Sequence, residues 1–285
     1  MNQARLATQV WRRCCHCCLP LSTKGDKILD TPLSKIGGKG LFVKELEAAL
    51  QDGSADLAVH SCKDVPMTLP AGFALAAILP REDARDALIG RMAKSVADLP
   101  KGATVGTASL RRQAMLLRQR PDLKIVPLRG NVETRLKKIG EGQADATLLA
   151  LAGLKRLGLT KHAAAVLSID EFLPAVGQGA IGIETRADDE NTRTMLAAIN
   201  HPATAVALAA ERAFLAVLDG SCRTPIAGHA VLQADGSLHL RGLIAKPDGS
   251  QAIATERRGP TSEAAAMGKD AGLELKKRGG PGFLA

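Results

Sequence analysis

The chain has 285 residues, 46% apolar and 24% charged, which describes an ordinary globular protein with room for about two domains. Basic residues (38) outnumber acidic ones (29) for a net charge of +9, so anionic partners are expected; with no tyrosine and one tryptophan to stack on bases, nucleic acid is not the expected one. No apolar run approaches the roughly 18 residues of a membrane span, and the opening MNQARLATQVWRRCCHCC lacks the apolar core of a signal peptide, so no membrane partner and a cytoplasmic location are expected.

Residues 1–22 follow no helical or strand period. The cluster Cys14-Cys15-His16-Cys17-Cys18 lacks the C-x2-C spacing that lets two thiolates share one metal, so no metal site is read there. Thr23-Lys24-Gly25-Asp26 is a turn and KIGGKG, Lys35 to Gly40, a flexible basic loop. Leu41 to Leu50 carries a helical apolar stripe, and Leu57 to Val59 reads as the end of a buried strand. The polar set His60, Ser61, Cys62, Lys63 and Asp64 follows, closed by Val65-Pro66, where proline forces extended backbone on its predecessor. Phe73 to Leu79 and Asp86 to Gly90 are strands.

From 103 to 160 strands alternate with helices: Ala103–Thr107, a helix to Arg120 with Ser109 as N-cap, Leu123–Leu128, a helix from Asn131 to Ile139, Ala146–Leu151, and a helical turn at Leu154. Short connections between them argue for a mostly parallel sheet with helices on both faces. Leu173 to Ala180 is a loop, Ile181 to Glu184 a strand, and Pro202 to Leu218 a long helix stopped by Asp219-Gly220. Beyond Ile226 the pattern changes to apolar segments around Asp235-Gly236, a second turn at Pro247-Asp248-Gly249 and a last helix, Ser262 to Lys277. That shift marks a smaller C-terminal α+β domain.

Asp64 stands on a stiff turn at the carboxyl end of a strand, where ligands bind in open α/β sheets. Taken alone, the same residues equally describe a polar turn capping the next element. Arginines then recur where backbone geometry favours anions. Arg111 and Arg112 lie in the first turn of a helix, Arg129 ends a strand with Arg135 one turn further on, and Lys155 with Arg156 closes the third unit. One such pair is most often a solvated face; three at equivalent places suit bidentate binding of carboxylate or phosphate. Cys222 sits in GSCRTPI, a loop rather than a core, beside an arginine that favours its thiolate. A loop thiol, a turn carboxylate and many arginines together suggest covalent handling of a polyanion.

Nine motifs in order carry a resemblance: TKGD at Thr23, KIGGKGLF at Lys35, HSCKDVP at His60, GTASLRR at Gly106, LRGNVETR at Leu128, AGLKRLGL at Ala152, LPAVGQGA at Leu173, AERA at Ala210 and GSCRTPI at Gly220. Together they resemble the porphobilinogen deaminase (hydroxymethylbilane synthase) family of tetrapyrrole and haem synthesis. The resemblance implies a dipyrromethane cofactor in thioether linkage to Cys222 and a transferase that deaminates porphobilinogen to an azafulvene. Four units join head to tail, and water releases hydroxymethylbilane. It implies Asp64 as the catalytic carboxylate and Lys63, Ser109, Arg111, Arg112 and Arg129 as cofactor contacts. Arg135, Arg156, Lys39 and Phe42 are implied at the substrate, the last two on a mobile loop with Lys35. The implied fold is two doubly wound α/β domains resembling type II periplasmic binding proteins, residues 1–79 with 180–200 and residues 85–174, plus a small α+β domain, 201–285, carrying the cysteine. A monomer is implied.

The N-terminus departs from the pattern: Gln9 stands where the family has an arginine, and the cysteine cluster replaces the first helix. This removes one charged clamp, and reduced or absent activity is the expectation it raises. A non-catalytic two-domain anion receptor is the competing reading; it has no use for both Cys222 and Asp64.

Overall fold

A computed structural model describes residues 19–21, 23, 43–90, 94–220 and 224–284. Gln9, the cysteine cluster, Lys24, Lys35, Lys39, Phe42 and Cys222 lie outside the described residues. In chain order the elements begin with α1 (Lys44–Gln51), β1 (Ala58–Ser61), β2 (Phe73–Ile78), β3 (Asp86–Gly90) and β4 (Thr104–Gly106). They continue with α2 (Leu110–Gln119), β5 (Lys124–Val126), α3 (Val132–Gly140), β6 (Ala146–Ala150), α4 (Leu151–Leu157), β7 (Ala165–Val166) and β8 (Ile181–Arg186). The last are α5 (Glu190–Ala197), α6 (Pro202–Val217), β9 (Ile226–Leu232), β10 (Ser237–Ala245), β11 (Ala252–Pro260) and α7 (Ala264–Gly279).

Side-chain caps start the helices where the sequence places them. Ser109 Oγ accepts from the Arg112 amide at the start of α2, and Asn131 Oδ1 accepts from the Thr134 amide at 2.8 Å to start α3. Helix α5 lies outside the predicted elements; Asp189 Oδ1 caps it by accepting from the Thr192 amide at 3.0 Å.

Among the described residues the strands form three sheets, ordered β1-β8-β2, β5-β4-β6-β3-β7 and β11-β10-β9. The central sheet corrects the parallel expectation in part. Strands β4, β5 and β6 are parallel, linked by the crossover helices α2 and α3, but β3 runs antiparallel to β6 and to β7. The segment entering β3 contains no helix, so nothing obliges that strand to share the common direction.

Alternation along the strands sends side chains to opposite faces. Leu88, Val105 and Leu148 pack on Met115 and Leu116 of α2, whereas Ala87, Ile89 and Leu149 pack with Ile139 of α3 and Leu154 of α4. Helices therefore cover both faces, as the doubly wound reading expects. The C-terminal meander packs on α6 and α7 around Phe214, Leu238, Leu240 and Leu275, and its Ala227 and Leu243 reach the α2 core. No helix among the described residues is long and apolar enough to cross a membrane.

Two strands of backbone join the first sheet to the central one, and they are laced together. Leu79 N donates to Ile181 O at 2.9 Å, Glu82 N to Gly179 O at 3.2 Å, and Gln178 Nε2 to Ala84 O at 2.7 Å. Gly179 has φ +88°, and a Cβ there would stand 2.3 Å from the Glu82 carbonyl oxygen. Gly179→Ala is expected to cost about 2–3 kcal/mol in forced backbone, read by calorimetry as a fall in Tm of roughly 4–10 °C. An unchanged Tm would show that the crossing yields freely.

Candidate active site

Strand β1 delivers the chain to a single 3-10 turn, Cys62–Asp64, and Val65 leaves it extended at φ −80°, ψ 129°, as the following proline requires. The turn is held on several sides. Cys62 N donates to Ala180 O at 3.0 Å, and Val65 N closes on Cys62 O at 3.3 Å. Gly177, at φ +72°, passes so close beneath that a Cβ would lie 2.9 Å from the Cys62 carbonyl carbon. Arg212 Nη2, from α6, donates to Pro66 O at 2.7 Å and Met67 O at 2.8 Å. Cys62 is buried, and burial pushes its thiol up to about 12, so it packs rather than reacts. Asp64 is exposed on the rim of the turn.

Cations gather around that carboxylate. Lys63, partly buried, is pushed down to about 8, chiefly by burial; Arg112 and Arg135 add to the fall, and Asp64 and Asp86 oppose it. Arg135 is lowered to about 10 by burial and by Arg112 and Arg129, with Asp64 opposing. Lys63 and Arg135 thus both lie in the field of Asp64, and Arg112 acts on each of them. Backbone fixes Arg135, whose Nε donates to Gly130 O at 2.8 Å, and Lys138 Nζ holds the carbonyl of Arg129 at 3.2 Å. Arg156 lies against the crossing strands, its Nη2 donating to Gly179 O at 2.8 Å. Its neighbour Lys155 is exposed and pairs with Glu82 at 2.8 Å, away from this group.

Two buried carboxylates that the sequence reading did not single out organise the rest. Asp86, the first residue of β3, has no exposed surface. Its Oδ2 accepts from Arg111 Nη2 at 2.7 Å and its Oδ1 from Arg112 Nη2 at 2.7 Å, Arg112 Nε at 3.2 Å and Gln178 Nε2 at 3.0 Å. Burial alone would raise this carboxyl, but the two guanidiniums outweigh it and hold Asp86 well below the usual carboxylate range. Arg111 also donates Nη1 to Leu173 O at 2.9 Å and lies over the Phe172 ring, 5.6 Å from its centre. Both its terminal nitrogens thus serve the protein, and its buried Nε has no partner among the described residues. Ser109, likewise, spends its hydroxyl on the α2 cap.

The second carboxylate, Glu211 on α6, is equally buried. It chelates the Arg81 guanidinium through both oxygens and accepts the amides of Gly177 and Ala230, each at 2.7 Å. One side chain thereby joins a crossing strand, the loop beneath the Asp64 turn and the C-terminal sheet. The available signals were a charged residue opening the apolar strand Asp-Ala-Leu-Ile and a glutamate inside an alanine-rich helix. A cleft of about 890 Å³ lies elsewhere, between α2 and the C-terminal sheet; Asp64, Lys63, Arg112 and Arg135 do not line it.

Residues 1–194 match the family model described as porphobilinogen deaminase, dipyromethane cofactor binding domain, and residues 205–277 match porphobilinogen deaminase, C-terminal domain. The porphobilinogen deaminase of Nitrobacter hamburgensis is 60% identical over 264 residues, covering 93% of this chain and 83% of its own. The chloroplastic porphobilinogen deaminase of Oryza sativa subsp. japonica is 56% identical over 266 residues, covering 93% of this chain and 74% of its own. Among solved structures, a nutrient binding protein from Burkholderia cenocepacia bound to methionine overlaps 54% of this chain and 74% of its own at 20% identity, with a TM-score of 0.39, a likeness too slight to rest anything on. On the two matching models and the extent of identity with these relatives, the chain belongs to the porphobilinogen deaminase family.

Proposed function

We propose that the chain deaminates porphobilinogen and joins four molecules head to tail into hydroxymethylbilane on a covalently held dipyrromethane primer. What carries the assignment of residues is that the Asp64 carboxylate is exposed on its turn with Lys63 and Arg135 in its field and Arg112 acting on both. A dipyrromethane bears four carboxylate arms and two pyrrole N–H groups. Desolvated cations around one accessible carboxylate are the donor set such a group needs, so the residues fit it. When bound, it supplies the free pyrrole carbon to which incoming substrate is joined.

In this reading Cys222 holds the cofactor as a thioether, and Lys63, Ser109, Arg112 and Arg129 line it. Arg111 contributes its buried Nε and, through Asp86, the orientation of Arg112. Arg135 and Arg156 hold substrate carboxylates, with Lys39 and Phe42 nearby. Asp64 accepts hydrogen bonds from pyrrole N–H groups and stabilises the positive charge that grows on the substrate ring as ammonia departs. The chain divides into residues 1–79 with 180–200, 85–174 and 201–285, and works in the cytoplasm as a monomer.

Intact mass under denaturing conditions tests this. Wild type is expected to carry two pyrrole units that Cys222→Ser lacks. Asp64→Asn should keep that mass and lose roughly 10²–10³ in turnover, the scale of removing one electrostatic stabiliser. A folded but unmodified wild-type chain would favour the anion receptor or an inactive remnant.

A further inference from the structure

We propose that Arg212 of α6 is a positioning residue that fixes the far side of the Asp64 turn; this rests on the reading above. Helix α6, Pro202–Val217, reaches toward the Asp64 turn. It grips through two consecutive residues. Successive side chains on a helix diverge by about 100°, so Glu211 and Arg212 reach different neighbours. Glu211 takes the crossing strand and the loop at Gly177, whereas Arg212 takes the chain just beyond Asp64.

The second grip is specific in form. One nitrogen, Nη2, gives its two hydrogens to the successive carbonyls of Pro66 and Met67, at 2.7 and 2.8 Å. That fixes the orientation of two adjacent peptide planes, two and three residues from Asp64. Pro66 has no amide hydrogen to offer a backbone ladder, so this stretch lacks the usual means of being tied down. The guanidinium is drawn into a setting where burial disfavours its charge, and its Nη1 is buried without a hydrogen-bond partner among the described residues. An apolar residue would fill the space without that cost but would leave both carbonyls unanchored. Because the turn is also held at Cys62 and from beneath by Gly177, loss of Arg212 frees its far side alone. The fold survives, and Asp64 loses its register.

The test compares full-length wild type, Arg212→Ala and Arg212→Lys. Amide hydrogen exchange should rise in Arg212→Ala over residues 61–68 and stay unchanged over α2, a selective change that general destabilisation would not give. Arg212→Ala should keep the cofactor mass and lose roughly 10- to 100-fold in kcat, the scale of a small misplacement of a reacting group, with KM little altered. Arg212→Lys, which keeps a multiple donor, should recover part of both. Unchanged exchange over residues 61–68, or wild-type kcat in Arg212→Ala, overturns the proposal. If Arg212→Ala fails to fold, Arg212→Lys is read alone: exchange and kcat intermediate between loss and wild type support positioning, and wild-type values of both refute it. A wild type without turnover would count against the enzyme reading, while the exchange comparison would still decide the role of Arg212.

Discussion

Asp86→Asn is expected to destabilise the protein by about 3–5 kcal/mol, the cost of stranding buried charges by removing their partner. Asp86 is fully buried, and the side chains of Arg111 and Arg112 are only 4% and 7% exposed, so neither guanidinium has water to turn to. Against a typical net stability of about 5–15 kcal/mol, that is a large share. The acid side carries a second signature. The folded-state carboxyl lies well below the usual range, so its contribution is complete above the unfolded value near pH 4 and is lost as pH falls toward the folded one. Below about pH 4 the wild type should therefore lose stability more steeply than Asp86→Asn, and the gap between them should narrow. Urea unfolding at pH 7 and at successive acidic pH values measures both. Equal stability at pH 7, or parallel acid slopes, would show that Asp86 is not the counterion for these arginines.

What was legible in the sequence was local. The strand Asp86 to Gly90 is observed over the same residues, Ser109 caps its helix as read, the helix read from Asn131 begins there with Asn131 as its cap, and Val65-Pro66 ends the Asp64 turn as read. Each follows from chemistry within a few residues. The pairings that shape the site were not legible, because they join residues far apart in the chain. Asp86 meets Arg112 across 26 residues and Gln178 across 92, and Glu211 meets Arg81 across 130. An arginine pair in a first helical turn looks alike whether it awaits an anion from solution or already holds one from the protein; only the crossing of β3 beside α2 distinguishes the cases. Lys155 shows the converse, a basic residue in a matching motif that the fold turns onto Glu82. The antiparallel entry of β3 was hidden for a related reason, since alternation of strands and helices predicts parallel neighbours only where a helix makes the crossover.

Glu211→Gln should be as costly as the change at Asp86, about 3–5 kcal/mol, but through a different failure. Its two oxygens answer Arg81, the Gly177 amide and the Ala230 amide. Glutamine keeps the shape but replaces one acceptor by an NH2 group facing donors, so at least one buried N–H goes unanswered and the Arg81 charge loses its counterion. Because Gly177 lies directly under Cys62 and Lys63, the damage should reach the Asp64 turn as well as the C-terminal sheet. A double-mutant cycle with Arg81→Met isolates the ion pair. Arg81→Met alone strands the buried carboxylate and Glu211→Gln alone strands the guanidinium, so the double variant should be less destabilised than the two losses summed, with a coupling of about 1–3 kcal/mol. Strict additivity would mean that Glu211 works through the two amides alone. The coupling that is expected would make α6 the element whose ion pair holds the crossing strand, the loop beneath the Asp64 turn and the C-terminal sheet in one register.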